Sequence, residues 1–168
     1  MQNVSINGVL TFFYFVIEYM ILERSMGSLK VKAVAALMVK ADRLNRRLSN
    51  IFQDKFGEVE GEAYYNSCNV FYTNYEKANT MIECKKVPSA ILHNVVEQRG
   101  NSYDKLVSVL SQTFTPDEVS KITSIYRDLA ETNVLVEKIT TKNPLVAHRI
   151  AKNAIKDNAE ITEITLEK

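Results

Sequence analysis

Apolar positions recur along most of the chain at three- and four-residue spacing, the period of a helix and not of a strand. The start is different. Residues 8–22, GVLTFFYFVIEYMIL, are apolar on nearly every side and carry one charge, Glu18. Asn7, Thr11, Glu18 and Ser25 fall at spacings of four and seven, a narrow polar stripe on an otherwise apolar helix. Such a helix belongs in a bilayer or at the centre of a bundle or oligomer. Its apolar side chains offer roughly −3 to −5 kcal/mol of insertion energy, and a central carboxylate takes back about 2.5 kcal/mol or more. Residues 1–25 are therefore expected to form an apolar N-terminal helix, either a membrane anchor or a central oligomer helix. Phe12, Phe13, Phe15, Ile17, Glu18 and Ile21 are its expected contacts. The stretch is a poor signal peptide, because no Lys or Arg precedes the apolar run. A start at Met26 would make it an upstream extension.

Beyond Gly27 the pattern becomes amphipathic. Ser28 is placed to cap a helix in which Leu37, Ala41, Leu44, Leu48 and Ile51 step by four and three. Gly57 and Gly61 flank EVE and predict a loop or kink. A further helix is expected over about 62–86, where Tyr64, Cys68, Phe71, Tyr75, Ala78 and Ile82 form a heptad seam. Pro88 opens a short helix that Gly100 is placed to end, and Ser102 is placed to cap the next. In FTPDEV, Thr115, Pro116 and Glu118 occupy the N-cap, N1 and N3 positions of a capping box. Val119, Ile122, Ile125, Leu129, Leu135 (or Val136) and Ile139 follow at helical spacing. Asn143-Pro144 repeats the device and opens a last helix with Leu145, Ile150, Ala151, Ala154 and Ile155.

The expected fold is all-α. A long antiparallel helical hairpin, about residues 28–86, packs with shorter C-terminal helices. Three segments follow: the apolar helix 1–25, a helical bundle domain 28–157 and a C-terminal tail 158–168. The tail is expected to be a frayed helix end, a short strand or a docking tail.

Composition agrees. Only 5 glycines and 3 prolines occur in 168 residues, too few for the many turns of a sandwich or barrel. Net charge is +1, so no global field selects nucleic acid or an acidic partner. Cys68 and Cys84 lie sixteen residues apart in one expected helix, beyond disulfide reach. They read as reduced core thiols, which points to a cytoplasmic setting. If residues 1–25 span a membrane, the following lysines and arginines put the body on its cytoplasmic face.

Chemistry is sparse. His93 and His148 are the only histidines, and no metal-ligand spacing or phosphate-binding glycine loop is present. Cys84, beside Lys85 and Lys86, is a nucleophile candidate outweighed by a core role. Glu58, Glu60 and Glu62 read as a solvated acidic turn. No catalytic residue, cofactor, metal or small-molecule substrate is expected, and the chain reads as a non-enzyme. Two surface signals remain. Lys40, Arg43, Arg46 and Arg47 form a basic stretch suited to phospholipid or a phosphate backbone. Tyr64, Tyr65, Tyr72 and Tyr75 crowd one helix, either as a protein interface or as a thick core. The leading expectation is a structural or assembly protein that forms a homo-oligomer or joins a larger complex. The alternatives are a membrane-anchored regulator with a cytoplasmic bundle and a small helical nucleic-acid-binding subunit.

Overall fold

A computed structural model describes residues 28–85 and 87–160. The segment 1–25, with Phe12, Phe13, Phe15, Ile17, Glu18 and Ile21, lies outside the described residues, as do Met26 and residues 161–168. The described chain is all-helical. It comprises α1 (Ser28–Phe56), α2 (Glu58–Cys84), α3 (Ser89–Ser111), α4 (Pro116–Thr141) and α5 (Pro144–Asp157). Two compact units emerge, one formed by Arg43–Glu137 and one by the chain before and after it. The divisions fall inside α1 and inside α4.

In the unit Arg43–Glu137, α2 and α3 run antiparallel and in contact. Tyr64 at the start of α2 donates its hydroxyl to the Val109 carbonyl at 2.7 Å, near the end of α3. Further along, the Tyr75 and Tyr103 rings stand 5.7 Å apart, and Arg99 donates to Asn79 Oδ1 at 3.2 Å. The unit's core is built from Leu48, Phe52, Cys68, Tyr72, Leu106, Leu110, Ile122, Tyr126 and Leu129. Each such large side chain contributes about 1.5–3 kcal/mol when taken from water.

The glycines act differently from expectation. The break after α1 is one residue long. Gly57 has φ 85° and ψ 172°, a conformation essentially reserved for glycine, and α2 begins at Glu58. Gly61 is not part of a loop. It lies buried inside α2, where a Cβ would come within 2.7 Å of the Gln53 Cα and the Phe52 carbonyl. Its lack of a side chain lets the end of α1 and the start of α2 touch through their backbones. Gly100 does not end a helix: α3 runs through it, and a Cβ there would meet nothing within 4 Å. Ser102 is accordingly a buried mid-helix residue and not a cap. The apolar face explains the continuity, since Val95, Leu106 and Leu110 are buried on both sides of Gly100. That shared packing outweighs a glycine penalty of about 1 kcal/mol.

In the other unit, the start of α1 buries Val31, Ala33, Val34, Ala36 and Leu37. Helix α5 starts as the sequence indicates, with Asn143 Oδ1 accepting from the Val146 N–H at 3.0 Å and proline in its first turn. Its buried face is alanine: Ala147, Ala151 and Ala154, at spacings of four and three. Leu145, expected on that face, is 86% exposed.

Candidate functional site

Around the Gly57 joint, aromatic rings fill the space between helices. Phe52 lies 5.5 Å from Tyr64, 5.7 Å from Tyr65 and 5.6 Å from Phe114, centroid to centroid. Phe56 stacks on Tyr64 at 4.9 Å. Lys55 holds Glu118 at 3.0 Å with its ammonium 4.5 Å from the Phe114 ring centroid. Thr115 caps α4 by accepting from the Glu118 N–H at 3.3 Å. The hydrogen bond from Lys55, helped by its charge and by Thr115, holds the Glu118 carboxyl below the usual carboxylate range.

The four tyrosines singled out in the sequence all have partners within the chain. Tyr64 bonds Val109, and its hydroxyl stands 2.8 Å from that of Thr113. Tyr65 donates to Asn45 Oδ1 at 3.1 Å. Tyr72 is buried with its ring 5.0 Å from that of Tyr126, and Tyr75 meets Tyr103. Burial pushes the Tyr72 and Tyr126 phenols up, so both stay neutral. Of the four, Tyr72 is buried, and Tyr64, Tyr65 and Tyr75 are half-buried.

Beside Tyr72 lies a polar group the sequence did not disclose. Asn133 of α4 donates to Glu76 Oε1 at 3.0 Å and lies 3.5 Å from the Tyr72 hydroxyl. Burial raises the Glu76 carboxyl above its ordinary range, and the hydrogen bonds from Asn133 and Tyr72 offset only part of that. Cys68 and Cys84 are free and buried. Burial pushes the Cys68 thiol up to about 12, which disfavours the thiolate needed for nucleophilic or metal chemistry. Cys84 donates to the Val134 carbonyl at 3.6 Å.

No known protein family, curated protein or solved structure matches this chain. His93 and His148 are exposed on separate helices, with His93 3.9 Å from Glu97. Among the described residues no cluster of His, Cys, Asp and Glu has the makings of a metal site. Glu58 and Glu60 lie in the first turn of α2, where acids suit the helix dipole. On α1, Arg43, Arg46 and Arg47 are exposed and Lys40 is half-buried. Among the described residues no helix is long and apolar enough to cross a membrane.

Two shallow surface features remain. At the start of α3, Ile91, Leu92 and Val96 are each about 40% exposed around buried Val95. Between the end of α3 and the start of α4 runs a groove of about 490 Å³, lined by Tyr103, Val107, Phe114, Val119 and Arg127 among others. Phe114 was legible in principle. It precedes the Thr115 cap and, with Val119, occupies the two positions of a hydrophobic staple. Both are buried.

Proposed function

We propose that this chain is a non-enzymatic helical protein that acts by assembly, as a homo-oligomer or as a subunit of a larger complex. The observation that carries this reading is the segment 8–22, fifteen residues with one charge. A helix apolar on nearly all sides needs a dry environment, and a second copy of the chain supplies one. In this reading the antiparallel hairpin over 28–86 gives the assembly its lateral contacts, and the engaged tyrosines stiffen it. The part-exposed Ile91, Leu92 and Val96 add apolar area at the start of α3. Light scattering coupled to size exclusion on the full chain, without detergent, tests this. Oligomers are expected, and a soluble monomer overturns the proposal.

A second reading is favoured by the exposed Arg43, Arg46 and Arg47. It makes the chain a membrane-anchored regulator whose basic stretch meets anionic headgroups, at about 1 kcal/mol per basic residue. Flotation of the full chain with vesicles containing phosphatidylserine separates the two. Retention that weakens when all three arginines become alanine favours the regulator.

A further inference from the structure

The α3–α4 groove has an unusual division of labour. Its floor is apolar, made by Val107, Phe114 and Val119. Two of the hydroxyls in its lining are committed to their own helices: Ser111 donates to the Val107 carbonyl at 2.7 Å and Thr123 to the Val119 carbonyl at 2.8 Å. Those two hydroxyls ask nothing of an occupant, and Tyr103 and Ser120 offer it theirs. The one cation in the lining is Arg127, which is exposed. It makes no ion pair among the described residues, even with its helical neighbours Asp128 and Glu131. The groove thus suits a short peptide that brings aliphatic side chains for the floor and a carboxylate for the guanidinium.

The chain contains such a peptide. Residues 161–168, ITEITLEK, combine Ile161, Ile164 and Leu166 with Glu163 and Glu167, and no base occurs before the last residue. Length also fits. The groove follows α3 from Tyr103 to Ser111, about 12 Å at helical rise. Eight residues reach about 26 Å when extended. We propose that the α3–α4 groove receives the C-terminal segment 161–168 of a second copy of this chain, with Arg127 taking one of its glutamates. The proposal rests on the assembly reading and specifies one of its contacts.

Mixing variants of the full chain that each carry one added cysteine tests it. Ser120→Cys places a thiol at the groove, and Ile164→Cys places one in the segment. Native Cys68 and Cys84 are buried and stay out of the reaction. Ser120 and Arg127 are exposed, so their variants keep the fold, which circular dichroism verifies. When the two variants are mixed under mild oxidation, a covalent heterodimer is expected. It should exceed by several-fold the product obtained with Asn66→Cys, an exposed position on α2. Adding Arg127→Glu should lower the yield about fivefold, the upper range for an exposed ion pair. Glu163→Lys with Glu167→Lys on the partner should restore it. A yield no higher than the Asn66→Cys control, or no response to Arg127→Glu, overturns the proposal. Light scattering on the same mixtures separates the two ideas. Oligomers without the cross-link sink the groove contact alone, whereas monomers sink the assembly reading as well.

Discussion

Gly57 does by backbone geometry what a loop usually does by length. Its φ of 85° with ψ of 172° closes α1 and opens α2 in one residue, and its N–H still bonds the Gln53 carbonyl at 2.8 Å. An L side chain there is strained whatever space surrounds it. Gly57→Ala should therefore destabilise the protein by about 1–3 kcal/mol, read as a lower midpoint in urea denaturation. Gly100→Ala is the control, since its open surroundings admit a methyl group. The sequence marked Gly57 as a break but could not show its length. Gly61 was equally visible and was misread, because nothing local separates a loop glycine from one that admits a neighbouring backbone. Glu76 was illegible for a related reason. Its partner Asn133 lies 57 positions away, and only tertiary structure brings them together.

Helix α4 was the most legible element. Its cap, its first-turn proline and acids, and its apolar positions Val119, Ile122, Ile125 and Leu129 all stand where the pattern put them. Thr115→Ala removes the acceptor for the Glu118 N–H and should cost about 1 kcal/mol, measurable as a shift of the thermal midpoint. The other helices resisted in instructive ways. In α2 the seam residues Cys68 and Ala78 are buried, and Tyr72 and Asn79, each one step past a seam position, are buried as well. Both stripes are used, because Tyr64 and Tyr75 meet α3 while Tyr72 meets α4. A single heptad line underestimates a helix with neighbours on two sides. In α5 the sequence reading named Ala151 and Ala154 beside Leu145, Ile150 and Ile155 but passed over Ala147, and the three alanines are the buried face.

For the whole molecule, the all-helical class followed from scarce glycine and proline and from the dominant three-and-four spacing. The division near residues 42 and 137 did not. It falls within helices, where composition does not change. Stability should respond to pH through Glu76. Its carboxyl is raised in the folded state by burial. Its contribution is therefore fully present below the ordinary carboxylate range and is lost as pH rises through the raised folded value. Glu76→Gln keeps an acceptor for Asn133 without the charge. The variant should show a flatter fall in thermal midpoint between acid and neutral pH, and a higher midpoint at neutrality. Parallel profiles for the two proteins would show that Glu76 does not drive the dependence. The Gly57 joint also limits how the chain can change length. Each residue of a helix turns it by about 100°, so one insertion or deletion at the joint would swing every aromatic of α2 away from its present neighbour. Length variation should therefore be punished there, and likewise in the connection between α3 and α4, where Phe114 packs on Phe52 and Phe56 and Thr115 caps α4.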